Sequence, residues 1–238
     1  MADLERYFIK PDYRPNLVQA TYDGSENPEY WNTERLESAA SFQYDVYALA
    51  AHLASARAAR TLLDIGSGPP MKLKALFQND RLEIHLVDQP NTAAQGERLL
   101  PHAKFTAANL ETIELDLGIR FDLIICADVI EHLINPDFCL AFIRQHLAPN
   151  GLLLISTPER DILRGRDCTS CPHPMHVREW NTGEFRCYLE SQGLQVIEHL
   201  LLPQQRTSLA KKAWGKLLNA LGRPPHWYSC QLAVCRTR

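Results

Sequence analysis

Between residues 61 and 156 the chain alternates short, uninterrupted apolar runs with segments of helical period, and this alternation constrains the fold more than any other feature. The runs include Leu62, Leu63 and Ile65, then LEIHLV at 82–87, FDLIIC at 121–126 and the apolar stretch 152–156, with a further strand near 104–107. Such runs suit strands buried on both faces of a sheet. The intervening segments, around 71–77, 92–99 and 136–147, suit helices, and five successive alternations require a parallel sheet with right-handed crossovers. Upstream, residues 1–30 carry Pro11, Pro15, Gly24 and Pro28 without a sustained period, so an irregular arm lying across the domain is expected. Asn32 or Thr33 can cap a helix over 34–56, where Leu36, Ala39, Ala40, Tyr44, Tyr47, Ala48, Ala51 and Ala54 recur at helical spacing as one stripe. Downstream, Asn181 and Glu184 form a capping box for a helix with Phe185, Tyr188 and Leu189, and strands follow around 196–202 and 227–235.

The 238 residues, 45% of them hydrophobic, suffice for one domain with additions. A net charge of −3 argues against dedicated nucleic-acid binding. No apolar run approaches the roughly 20 residues that span a bilayer, and the first residues lack the apolar core of a secretory signal, so a cytoplasmic protein is expected. Seven cysteines, an odd number, fit reduced thiols better than a disulfide framework.

The chemistry begins at TLLDIGSGPP, 61–70. Gly66 and Gly68 permit positive φ and close backbone approach to a ligand, and the helix from about Met71 would aim unpaired N–H groups at it. Asp88, at the tip of the second strand about 20 residues later, stands where a doubly wound domain holds ribose hydroxyls; the alternative is a surface Asp opening the turn Asp88-Gln89-Pro90. With AANLE at 107–111, FDLIICADVIEHL at 121–133 and LAPNGLLLISTPE at 147–159, the pattern over roughly 61–197 resembles the class I S-adenosylmethionine-dependent methyltransferases. That resemblance implies an α/β, Rossmann-like, seven-stranded and mostly parallel sheet with helices on both faces and an antiparallel last strand. It also implies S-adenosylmethionine as cofactor, with Asp64, Gly66 and Gly68 along its methionine part. Asp88, with Gln89 beside it, would be at the ribose, Asn109 and Leu110 at the adenine, and the backbone from Cys126 and Ala127 to Asp128 near the sulfonium. Pro70 replaces the third glycine usual in that family, which a ligand without pyrophosphate does not need.

On the acceptor side, Asp128, Glu131 and His132 are spaced i, i+3 and i+4, one face if the chain turns helically there. Two readings compete. The segment borders the pocket without metal, with His132 or His176 as base or hydrogen-bond partner; or, resembling the ubiquinone O-methyltransferases and the small-RNA 2′-O-methyltransferases, Asp128, Glu131, His132 and a distant His176 hold a divalent cation that acidifies a hydroxyl. The HVREW piece at 176–180 and STPERD at 156–161 resemble methyltransferases associated with bacterial surface-glycan synthesis. Cys168, Cys171, His173 and His176 offer a structural zinc set, although their spacing is tighter than the usual two pairs. Around 207–221 an apolar face (Leu209, Ala213, Trp214, Leu217, Leu218, Leu221) is flanked by Arg206, Lys211, Lys212, Lys216 and Arg223. It suits a cover for the core, a homodimer contact or a peripheral membrane contact.

The expected organisation is an arm and helix at 1–56, then a catalytic domain at 57–238 with an acceptor loop at 157–180 and a helical addition at 206–223. The expected activity is O-methylation of a sugar hydroxyl in a glycan or glycoconjugate. The alternatives are a small phenolic or natural-product acceptor, and a non-catalytic cofactor-binding subunit.

Overall fold

The computed structural model describes residues 5–17, 33–77 and 81–238. Its centre is a seven-stranded sheet: β1 (Thr61–Ile65), β2 (Glu83–Asp88), β3 (Lys104–Ala107), β4 (Phe121–Ala127), β5 (Leu147–Pro158), β6 (Leu194–Leu202) and β7 (Cys230–Thr237), in spatial order β3-β2-β1-β4-β5-β7-β6. The first five strands run parallel, and β7 lies antiparallel between β5 and β6. The order reverses between β1 and β4, so the carboxyl ends of these strands form the crevice where ligands of such sheets bind.

Alternate residues of each strand enter two cores. One face buries Leu63, Ile65, Ile124, Cys126 and Ile155 under α5 (Asp137–His146) and α7 (Thr182–Ser191). The other buries Leu62, Ile84, Leu123, Ile125 and Leu154 under α2 (Tyr44–Ala56) and α3 (Met71–Leu76). Here α4 (Ala93–Leu99) also sits, its Gly96 against Leu86 and Phe105. The capping box at the start of α7 is present: Asn181 accepts from the Glu184 N–H, and the Glu184 carboxylate accepts from the Asn181 N–H. Of the arm, Tyr7, Ile9 and Tyr13 pack into the first core; residues 18–32, including Asn32, lie outside the described residues.

Three expectations are corrected. The single helix over 34–56 is two, α1 (Thr33–Ser41) and α2, broken where Gln43 takes φ 51 and its N–H turns to the Gln204 carbonyl. The stripe continues through the break, so periodicity could not reveal it. The chain after β4 does not turn helically at Asp128, which has φ 52; a 3-10 turn begins only at Ile130. Finally, the apolar face near 207–221 does not cover the core. In α8 (Leu209–Ala220) and just beyond it, Leu209, Trp214, Leu217 and Leu221 are exposed.

Candidate active site

Parallel register brings the functional tips together. Ile65 lies beside Val87 on one side and Cys126 on the other, so Gly66, Asp88 and Ala127 share one edge of the sheet. Gly66 (φ 66) and Gly68 (φ 51) turn the chain sharply away from β1, and a Cβ on Gly66 would lie 2.4 Å from Val129 Cγ2. Only glycine meets both demands. The turn is pinned from the second strand: Asp88 Oδ2 accepts the Gly68 N–H at 2.6 Å, and Oδ1 accepts the Gln89 N–H at 2.6 Å.

Asp64 is fully buried beneath this turn, with Tyr47 Oη donating to its oxygens at 3.0 and 3.1 Å. Burial raises the Asp64 carboxyl to about 7, although the nearby Lys72 ammonium and Tyr47 oppose the rise. Lys72 sits with its Nζ 4.6 Å from the Tyr47 ring centroid and donates to the Ala39 carbonyl at 2.7 Å. Burial likewise raises Asp88 and Asp128 to about 6 each. At the third strand, Asn109 uses its side-chain oxygen to accept the Glu111 N–H at 3.0 Å, shaping the loop in which Leu110 is half-buried. Cys126 points into the core, so only its backbone faces the crevice edge.

Beyond β4 lies a second cluster. His132 donates from Nδ1 to the Met175 carbonyl at 2.8 Å, which leaves Nε2 without a proton. Burial lowers this imidazole to about 4, with His176 adding to the effect. Glu131 is fully buried with neither carboxyl oxygen in a well-formed hydrogen bond, although the Thr157 hydroxyl lies close, and burial pushes its pKa well above the usual range. The ligand atoms of Glu131, His132 and His176 lie within 4.8 Å of one another. Asp128 is not in that group. Its oxygens are engaged by Gln43 Nε2 and, at 3.2 Å, by Ser156 Oγ, and its left-handed φ takes it off the face expected for i, i+3, i+4 spacing.

His176 is itself held from behind. Its Nδ1 is 2.7 Å from Glu179 Oε1, and Arg164 grips the same carboxylate through Nη2 at 3.0 Å and Nε at 3.1 Å. Burial alone would raise the Glu179 pKa, but the bonds from His176 and Arg164 outweigh it and hold the group at about 2. An ionised carboxylate only accepts, so Nδ1 carries the proton and Nε2 is the nitrogen left for the cleft. The remainder of HVREW is buried framework. The Arg178 guanidinium donates to the Leu133 and Ile134 carbonyls, and Trp180 stacks on Tyr188 at 5.5 Å while its Nε1 donates to Tyr7. The four-residue zinc set does not assemble. Cys171 and His176 group with Glu179 instead, Cys168 turns its thiol to the Ser170 carbonyl, and His173 stacks 4.0 Å from His176.

A methyltransferase-domain family model matches residues 39–199. The chain belongs to the S-adenosylmethionine-dependent methyltransferase family. It is 30% identical over 191 residues to a probable S-adenosylmethionine-dependent methyltransferase of Mycolicibacterium smegmatis, covering 80% of this chain and 69% of the relative. In fold it is similar to a plantazolicin methyltransferase solved with a triazolic desmethylPZN analog and SAH (TM-score 0.60, 15% identity, 86% of this chain and 87% of that one). It is also similar to an O-methyltransferase family protein of Burkholderia thailandensis (TM-score 0.56, 16% identity, 85% of this chain), of whose length it spans 56%.

The methyltransferase's crevice fits the family's cofactor. Each Asp88 oxygen accepts one N–H and keeps a lone pair directed to further donors, as two neighbouring hydroxyls require. The side-chain-free turn at Gly66 and Gly68 offers backbone at close range. Sequence reasoning missed the residues that support these groups: Tyr47 and Lys72 at Asp64, Gln43 and Ser156 at Asp128, Arg164 and Glu179 at His176. Tyr47 was legible only as one member of an apolar stripe; nothing in the spacing marks the others as partners.

Proposed function

We propose that this methyltransferase transfers the methyl group of S-adenosylmethionine to a hydroxyl of a sugar in a glycan or glycoconjugate. The observation that carries this reading is the Glu131 carboxyl, buried beside the two histidines with no well-formed hydrogen bond to either oxygen and only the Thr157 hydroxyl close by. A buried polar group without a partner is costly, so such a group points to a ligand that completes it. A sugar hydroxyl supplies both a donor and an acceptor.

In this reading Asp64, Gly66 and Gly68 line the methionine part, Asp88 and Gln89 the ribose, and Asn109 and Leu110 the adenine. The backbone of Cys126 and Ala127 borders the methyl group to be moved. An alcohol is a weak nucleophile at neutral pH, so its proton must be loosened as the oxygen attacks. His132 presents an unprotonated Nε2 for that proton, His176 turns its Nε2 to the same cluster, and Glu131 orients the hydroxyl. Asp128 holds the edge of the cleft through Gln43 and Ser156.

Glu131, His132 and His176 also make a carboxylate-and-imidazole donor set that a divalent cation accepts, and His176 has the carboxylate behind it that metal-bound histidines usually have. A cation there would acidify a hydroxyl bound to it. The test is methyl transfer from labelled cofactor to a panel of oligosaccharides and small phenols, before and after EDTA treatment. Labelled sugar, with activity lost to EDTA and restored by Mg²⁺ or Mn²⁺, is the expected result. Labelled phenols alone would reject the glycan, and full activity after verified metal removal would reject the cation.

A further inference from the structure

Helix α8 is seated with its polar side inward. It leans on the domain at Gly215, where an added Cβ would lie 2.8 Å from the Tyr228 ring. Lys211 Nζ sits 4.9 Å from the Trp227 ring centroid, and Lys212 Nζ is 2.5 Å from Asp45 Oδ1. The opposite side carries Trp214, Leu217 and, one residue past the helix, Leu221, exposed by 54, 51 and 65%, with Leu209 at 86% near the start. At about 100° per residue the first three fall within roughly 60° of one another, a single apolar ridge. A contiguous exposed ridge of large apolar side chains marks a contact surface.

Charge selects the partner. After Glu198 the chain has no Asp or Glu, while α8 and the chain around it carry Arg206, Lys211, Lys216 and Arg223, with Lys212 paired to Asp45, in a protein whose net charge is −3. Pairing this face with a second copy of itself would set cation against cation. An anionic surface with an apolar layer beneath it satisfies both the ridge and its flanks.

We propose that α8 is a membrane-surface anchor, lying on an anionic lipid bilayer with Trp214, Leu217 and Leu221 inserted and Arg223, just past the helix, among the headgroup phosphates. The anchor is wired to the cleft. The segment entering α8 is bonded to the α1–α2 junction through Arg206 N–H to the Ser41 carbonyl at 2.8 Å and Gln43 N–H to the Gln204 carbonyl at 3.0 Å. The Gln43 side chain in turn holds Asp128. Through Gln43 the segment entering α8 and the strand tip at Asp128 share one support. The inference does not depend on the glycan reading.

The test is co-sedimentation of the full chain with vesicles of phosphatidylcholine alone and of phosphatidylcholine mixed with phosphatidylglycerol. Pelleting is expected only with the anionic vesicles and should decline with salt. Arg223→Ala should weaken it about fivefold. The Trp214→Ser/Leu217→Ser double variant should abolish it, with cofactor binding unchanged as the control for folding. Quenching of wild-type fluorescence by brominated anionic lipid, compared with Trp214→Phe, reads insertion without truncating the ridge. Absence of pelleting with anionic vesicles would overturn the proposal. So would a dimer, seen by light scattering, that the double variant splits.

Discussion

Glu179 is fully buried, yet it decides which nitrogen His176 presents to the cleft. Replacing it with Gln removes the fixed acceptor and lets the ring adopt either tautomer, while Arg164 loses its anionic partner. Glu179→Gln is expected to lower kcat by about 10–100-fold, the range usual for residues that orient a functional histidine. The cofactor Kd, measured by calorimetry, should stay unchanged, and equal losses in both would assign Glu179 to general stability. At the other end of the crevice, Asp88→Ala removes a charged acceptor from two backbone N–H groups and, in the proposed reading, from the cofactor ribose. Cofactor affinity should fall by about 10–100-fold, since a hydrogen bond to a charged group contributes about 1.5–3 kcal/mol. An unaltered Kd in the same titration would remove Asp88 from the ribose.

At the scale of elements, the turn after β1 is sustained by two separable constraints, a left-handed φ and the van der Waals surface of Val129. Gly66→Ala offends both. It should destabilise the protein by about 1–3 kcal/mol in urea unfolding. Adding Val129→Ala opens the space but leaves φ unchanged, so the double variant should recover part of the loss and no more. Full recovery would show that the backbone conformation carries no strain. The break between α1 and α2 belongs to the same scale. Gln43 leaves the helical path to bond Gln204, and the detour brings its side chain to Asp128. A surface loop and a strand tip are joined by one residue whose identity says nothing of either.

Across the whole molecule, parallel topology gathers Asp64, Asp88 and Asp128 at neighbouring strand ends, and burial raises their carboxyls to about 7, 6 and 6 from an ordinary value of 3.8. A folded state that keeps protons the unfolded chain has released loses stability as pH rises. The cofactor-free protein should therefore show a falling urea midpoint as pH climbs from 3.8 toward 7, and Asp64→Asn should flatten the upper part of that slope. Glu179 acts with the opposite sign: held at about 2, it contributes stability above its unfolded value of 4.5 that is lost as pH drops toward 2. The depressed imidazole of His132 likewise opposes the aspartates between about 4 and 6.5, so the Asp64→Asn comparison isolates the aspartate contribution. An unchanged slope in that variant would mean that Asp64 is ionised in the folded protein.

The apolar runs, glycine turn, strand-tip Asp88 and capping box were legible in the chain because each is local: burial on both faces, positive φ and helix termini impose their demands on adjacent residues. The parallel direction of the strands up to β5 follows from their alternation with helices, whereas their spatial order was set by the structure, and the family follows from motifs in series. What only the tertiary structure decided are the long-range partnerships. Glu131, His132 and His176 share a cluster because the chain after α6 (Arg160–Leu163) folds back over β4, so that the Val177 N–H reaches the Glu131 carbonyl at 2.7 Å. Asp128 falls outside it because one residue takes a left-handed φ, which no periodicity announces. The same holds for α8, whose amphipathic pattern was plain in sequence. Which side faces the domain depended on Gly215, Lys211 and Lys212 finding Tyr228, Trp227 and Asp45, contacts set by packing between segments distant along the chain.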